Sequence, residues 1–203
     1  MTARTALLLA LLCVLGACTD ASRPNIILIT IDTLRADHVG AYGYADAATP
    51  TLDLLAAQGR MFLQATTPFP RTTPAIASLF TGLQPWRHGS REIWQPFTHG
   101  TTLAQLLRAE GYATVGVSGN PAVGGRQNLD RGFDYFVEAD ALPDDSAESV
   151  VDATLDLLQT VETEHGLFLW VHLMDPHFPY RPPETLQAQP AAPECRRLME
   201  EIG

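Results

Sequence analysis

In the segment Thr72-Thr73-Pro74-Ala75-Ile76-Ala77-Ser78-Leu79-Phe80-Thr81-Gly82, hydroxyl groups sit where a helix can begin. Pro74 suits a first helical turn, Thr72 or Thr73 can cap it, and Gly82 suits a left-handed exit. The free N–H groups and dipole of such a start attract a phosphate or sulfate group, which makes Thr72 a candidate nucleophile toward one. The same residues also suit a surface helix whose threonines serve only as caps, and the segment by itself leaves both readings open. Asp32 directly follows an apolar run, at the strand end where open α/β sheets bind ligands. A carboxylate there can hold a hard cation, or simply cap a helix or accept loop hydrogen bonds. Arg35 can bind an oxyanion with Asp37 or His38 as a buttress, although an exposed ion pair accounts for these residues equally well. His172, Asp175 and His177, with Pro176 and Pro179 stiffening the loop, place two imidazoles and a carboxylate beyond another strand. Parallel-sheet geometry brings that loop near Asp32. His88 either bonds to backbone or supports the site.

The elements that must position these groups are legible in the same sequence. Asn25 to Ile31 is a nearly continuous β-branched run that suits a strand buried on both faces of a parallel sheet. Thr49-Pro50 starts a helix with Leu52, Leu55 and Ala56 on one stripe and Gly59 at its exit. Met61-Phe62-Leu63 reads as a short strand. Thr101 or Thr102 caps a helix through Leu103, Leu106, Leu107 and Glu110, Gly111 closes it, and Tyr112 to Ser118 is the next strand. A longer helix runs from about Ala147 through Val150, Leu155 and Val161 into the strand Leu167 to Leu173. This alternation predicts an α/β fold with a mostly parallel sheet sandwiched by helices. Glu138 to Glu148 reads as a solvated acidic loop, and Pro176 to Pro193 has no periodicity after Tyr180.

The 203 residues are 46% hydrophobic and only 18% charged, a globular composition with enough apolar material for a real core. The formal net charge is −10 with no basic run, which argues against nucleic acid as a partner. All thirteen basic residues are arginine, so no lysine can hold an anionic substrate. Arg4, the apolar run Ala6 to Leu15 and Gly16-Ala17-Cys18 read as an export signal too short to span a bilayer. Leu15-Gly16-Ala17-Cys18 resembles the lipobox of bacterial lipoproteins. That reading gives a signal peptide over 1–17, a tether over 18–23 lipidated at Cys18, and a domain over 24–203. It implies a lipid anchor in the cell envelope, on the periplasmic face or at the outer membrane. The alternative is an ordinary signal peptide with an incidental cysteine. Cys13 lies inside the signal and Cys195 is left alone, so no internal disulfide framework forms.

Five blocks in order make the chain resemble the amino-terminal half of the sulfatase family, within the alkaline phosphatase superfamily. They are Pro24 to Arg35, Thr49 to Ala56 with Gly59, Thr72 to Gly89, Thr102-Leu103 to Gly111-Tyr112, and Arg131-Gly132-Phe133-Asp134 with Asp175-Pro176-His177. The resemblance implies a divalent-cation enzyme that cleaves or transfers a sulfate or phosphate ester. The cation could be calcium, magnesium, manganese or zinc. By the same comparison Asp32 matches the first metal ligand, Thr72 the nucleophile and His177 a histidine near the substrate or leaving group. Arg35, His172 and Asn120 are the candidate substrate-binding residues.

The departures from the family pattern are as informative. Sulfatases carry a cysteine or serine that matures to formylglycine, followed by proline two residues on and arginine four residues on. Here Pro74 is kept, but Thr72 has no route to formylglycine and Ile76 replaces the arginine. Threonine does serve as the phosphoacceptor in phosphotransferase relatives. Thr33 replaces the second of the paired aspartates, and Gly119-Asn120 stands where the family has glycine-lysine. The Asp-His or Asp-Asn pair of the family's second half has no counterpart after Tyr180, so the resemblance implies an incomplete chain that is inactive alone. The competing expectation is a noncatalytic, lipid-anchored envelope protein that keeps part of the fold as a binding or scaffold module.

Overall fold

The computed structural model describes residues 23–163 and 165–179. The signal segment with Cys18, and Cys195 in the stretch from Tyr180 onward, lie outside the described residues. The order of elements is β1 Ile26–Ile31, α1 Pro50–Gln58, α2 Thr72–Thr81, α3 Pro85–His88, α4 Leu103–Ala109, β2 Ala113–Ser118, β3 Tyr135–Val137, α5 Ala147–Leu158 and β4 Leu167–Leu173, with short 3-10 turns between. The strands form one sheet in the order β1-β4-β2-β3, and every pairing is parallel. Helices cover both faces, as the alternation of elements requires.

Strand β4 shows how the sequence builds the layers. Its residues alternate between faces, so Phe168 and Trp170 pack with Ile76, Ala77 and Phe80 of α2 and with Ala104 of α4. Leu167, Leu169 and Val171 face the other way and, with Val115 and Val117 of β2, pack onto Val150 of α5. Trp170 is fully buried and meets Phe80 edge-on at 4.7 Å. The helix starts are chemically marked. Thr102 forms a reciprocal capping box with Gln105, and Ser146 caps α5 by accepting from the Ser149 N–H. The Thr102 hydroxyl also donates to the Arg131 carbonyl at 2.6 Å, and the next residue, Gly132, has φ 93° and lies where a Cβ would run into the Gln105 backbone. A side chain there would both strain the backbone and collide with the capping box.

Four sequence expectations are corrected. Strand β1 is buried on one face only: Ile26 and Leu28 join the core, whereas Ile27 and Ile29 are 60% and 54% exposed. Among the described residues it lies at the sheet edge, beyond the cover of α5, which packs on β4 and β2. Met61-Phe62-Leu63 forms no strand and lies in an exposed loop, because an apolar triplet without a neighbouring strand gains nothing from an extended conformation. The acidic stretch is not loop throughout: 139–141 form a 3-10 turn, and Glu148 already belongs to α5. That helix ends at Leu158, short of Val161.

Candidate functional site

Parallel register delivers the site residues to one edge of the sheet. Thr30 and Ser118 both flank His172 in the ladder, so β1, β4 and β2 end together. Asp32 follows β1, with its N–H bonded to the Leu173 carbonyl at 2.9 Å. Gly119 follows β2 and donates to the His172 carbonyl at 3.1 Å, which sets Asn120 beside Asp32. The loop from Met174 to His177 leaves β4 at the same edge. An open cleft of about 1110 Å³ lies over these strand ends, and Asp32, Thr72, His172 and His177 are among its lining residues.

The Asp32 side chain is only 11% exposed, and its contacts converge on one oxygen. Oδ2 accepts the Thr72 hydroxyl at 3.0 Å and the Asn120 amide at 2.6 Å. The Asn120 amide is oriented by its own oxygen, which accepts the Ala122 N–H at 2.8 Å. His172 Nε2 stands 3.7 Å from the same Oδ2, too far for a hydrogen bond, so its influence is electrostatic. Burial pushes the Asp32 carboxyl up, but His172, the Thr72 hydroxyl and the Asn120 amide together outweigh it and hold the group below the ordinary carboxylate value. Asp32 is therefore an ionised carboxylate at neutral pH.

Helix α2 places Thr72 against this carboxylate and turns Thr73 away from it. The residue before the helix is Arg71, which makes no capping bond, so the threonines are the first two helical residues and not its cap. Thr73 is fully buried; its hydroxyl donates to the Ala122 carbonyl at 2.9 Å and accepts the Trp94 N–H at 3.1 Å. Thr72 is half-buried and reaches Asp32. Gly82 ends the helix in the left-handed conformation, φ 65°, with its N–H on the Ser78 carbonyl. His88 is the brace between α2 and α3: its Nε2 lies 2.9 Å from Ser78 Oγ, and its Nδ1 accepts the Ser90 N–H at 3.1 Å. Because a backbone N–H can only donate, the ring proton sits on Nε2 and is shared with Ser78. Burial holds the His88 imidazole below its ordinary value, against a smaller opposing pull from the Pro74 backbone.

The remaining candidates divide. His177 is exposed on the cleft wall, with its Nδ1 2.6 Å from the Phe178 carbonyl oxygen. Arg35 does not line the cleft; its guanidinium pairs with Asp37, Nε to Oδ1 at 2.9 Å, and both side chains are exposed. Asn120 is buried and spends its amide on Asp32, which makes it a support for the carboxylate. Thr30 was not singled out from the sequence, yet it bonds His172 Nδ1 at 2.7 Å and the Trp170 indole at 3.0 Å. The available signal was a hydroxyl inside an otherwise apolar strand.

As a cation site the described residues are a fragment. Both hydrogen bonds that the described residues give the Asp32 carboxylate fall on Oδ2, so Oδ1 is the oxygen that would be left for a cation. Among the described residues no group of three or more His, Cys, Asp or Glu could hold a metal ion. One carboxylate fits a contribution to a divalent shell and not a complete one.

A family model described as Sulfatase matches residues 24–197. Arylsulfatase A of Bos taurus is 41% identical over 106 residues, covering 49% of this chain and 21% of the relative. N-acetylgalactosamine-6-O-sulfatase of Bacteroides thetaiotaomicron is 32% identical over 166 residues, covering 77% of this chain and 32% of the relative. The chain thus spans about a fifth to a third of the length of these curated relatives. Phosphonate monoester hydrolase of Agrobacterium radiobacter superposes with a TM-score of 0.65 at 21% identity, over 80% of this chain and 43% of that one. The C-terminal periplasmic domain of EcEptC from Escherichia coli superposes at 0.63 and 18% identity, over 85% and 50%. Likeness at such identities shows a shared fold.

Proposed function

Since this chain belongs to the sulfatase family of the alkaline phosphatase superfamily, we propose that its cleft serves ester hydrolysis or group transfer at sulfate or phosphate, with Thr72 as the nucleophile. The observation that carries this reading is the 3.0 Å hydrogen bond from the Thr72 hydroxyl to an ionised, mostly buried Asp32 carboxylate at the floor of an open cleft. A hydroxyl held by a base is the minimal activated nucleophile. In the first step Thr72 Oγ1 bonds to the sulfur or phosphorus, its proton passes to Asp32 Oδ2, and the ester oxygen leaves with the bond electrons. His177, on the cleft wall, supplies a proton to that leaving oxygen. Water then cleaves the Thr72 ester, or an acceptor alcohol takes the group. A divalent cation at Asp32, when bound, would neutralise the nonbridging oxygens and acidify the hydroxyl. Formylglycine has no part in this scheme, because Thr72 cannot form it.

Aryl sulfate, aryl phosphate and aryl phosphonate esters, each assayed with wild type and Thr72→Ala, test the proposal. Turnover lost in a folded Thr72→Ala and retained in Thr73→Ala assayed below its lowered melting temperature supports it, and equal loss in both while folded assigns the wrong hydroxyl. A second reading, a noncatalytic binding or scaffold module, is favoured by the missing ligand cluster among the described residues. Calorimetric titration with calcium, magnesium, manganese and zinc separates the two. Tight binding that Asp32→Ala abolishes supports the enzyme, and no binding supports the module. Export and anchoring through Cys18 are part of the same proposal, supported by the apolar run and Leu15-Gly16-Ala17-Cys18. They predict incorporation of a labelled fatty acid that Cys18→Ala loses.

A further inference from the structure

Trp170 and His172 lie two residues apart on one face of β4, with their rings stacked at 5.7 Å, and Thr30 stands opposite His172 on β1. The Trp170 indole N–H is only a donor, so at 3.0 Å it makes Thr30 Oγ1 an acceptor. The one hydroxyl proton of Thr30 then has two candidate partners: His172 Nδ1 at 2.7 Å and the Val171 carbonyl at 3.5 Å. The shorter contact is a full hydrogen bond and the longer one is marginal. Nδ1 is therefore the accepting nitrogen, and the imidazole proton sits on Nε2. The other end of the ring agrees. His172 is 1% exposed, and its Nε2 is buried without a hydrogen-bond partner, facing Asp32 Oδ2 at 3.7 Å. A lone pair at that place would oppose a carboxylate oxygen, whereas an N–H is attracted to it.

We infer that Trp170, Thr30 and His172 form a one-way donor relay that fixes His172 in the Nε2–H tautomer and directs that N–H at Asp32. His172 is then a positioning residue for the carboxylate that holds Thr72. In that tautomer Nε2 carries the proton and has no in-plane lone pair, so as held here His172 is no metal ligand even though it stands beside one candidate. The inference depends on the proposed function only for what the relay serves. The relay itself is read from Thr30, Trp170 and His172.

The test is two-bond proton–nitrogen NMR on the full chain labelled with nitrogen-15 histidine, above the ordinary imidazole pKa, where each tautomer has a distinct pattern. Wild type is expected to show His172 as Nε2–H, and an Nδ1–H pattern overturns the inference. Thr30→Val is expected to lose the single tautomer while Thr30→Ser keeps it; an unchanged pattern in a folded Thr30→Val is also fatal. Should Thr30→Val not fold, Trp170→Phe serves, because without the indole donor the Thr30 oxygen is freed to accept and the tautomer becomes mixed. Asp32→Ala is expected to leave Nε2–H in place; conversion to Nδ1–H there would mean that the carboxylate, and not Thr30, sets the ring. Zinc alone is expected to leave the His172 Nε2–H signal intact, and its loss to a coordinated nitrogen signal refutes the claim that Nε2 is no ligand. If Thr72→Ala leaves ester turnover intact, the nucleophile reading falls while the tautomer result still stands.

Discussion

Thr73→Val should unfold far more readily than Thr72→Val, although the two threonines are adjacent and valine matches both in shape. The difference follows from burial. The Thr73 hydroxyl is fully buried and satisfies two backbone groups at once, the Ala122 carbonyl and the Trp94 N–H. Valine leaves both without a partner, and at about 1–3 kcal/mol for each stranded buried group the loss comes to about 2–6 kcal/mol. Thr72 loses one bond, to the Asp32 carboxylate, at the edge of an open cleft where water can take its place. That substitution should cost about 1.5 kcal/mol, the low end for a hydrogen bond to a charged group. At about 2–4 °C per kcal/mol for a chain of this size, Thr73→Val should melt roughly 4–24 °C below wild type and Thr72→Val roughly 3–6 °C below it. Urea unfolding followed by circular dichroism at constant pH measures both. Equal destabilisation by the two substitutions, or the reverse order, would show that α2 starts in a different register and that the nucleophile assignment fails with it.

Thr33 is a β-branched residue at φ 56°, and a left-handed conformation costs such a residue about 1–2 kcal/mol. Offset by the greater chain entropy of glycine, Thr33→Gly should stabilise the fold by about 0.5–1 kcal/mol; a lower urea midpoint would mean that the Thr33 side chain earns its strain. Stability should also fall as pH drops below the ordinary imidazole value of about 6.5, because there the unfolded chain protonates His88 while the buried, doubly engaged ring in the fold does not. Urea midpoints measured from pH 7.5 down to 5.5 should lose part of this decline in His88→Gln, and an unchanged slope would place the titrating group elsewhere. Asn120→Ala removes the 2.6 Å donor to Asp32 and should raise that carboxyl's pKa, visible as an upward shift of the Asp32 side-chain carbon titration; no shift would remove Asn120 from the carboxylate's support.

What the sequence made legible was whatever local chemistry encodes strongly. Long buried strands such as β4, helix starts marked by proline or by the Thr101-Thr102 pair, and glycine exits such as Gly82 all appear where residue types place them. Strand β3 escaped because three half-exposed residues form a strand only when β2 lies alongside. Met61-Phe62-Leu63 misled for the converse reason: it has strand chemistry and no partner. Asp32 and Thr72 could be paired from the sequence only through resemblance, since forty residues separate them and only the packing of α2 on the sheet brings Thr72 to the strand end that carries Asp32.

The same limit explains why Arg35 and Thr30 exchanged importance. An arginine three residues after a candidate ligand looks like an oxyanion clamp, yet Asp37, two residues farther on, captures it locally at the surface. A threonine inside an apolar strand looks like filler, yet the register sets its hydroxyl between the indole of Trp170 and the imidazole of His172, about 140 residues away in sequence. Residue type announces which groups can do chemistry; which of them is turned on the reacting centre depends on what each neighbour has already bound. In this site the decisive neighbours donate one proton each: Trp170 to Thr30, Thr30 to His172, and Asn120 and Thr72 to Asp32. A carboxylate fed by so many donors is held ionised and in place, which is what a hydroxyl nucleophile without formylglycine chemistry requires of its base.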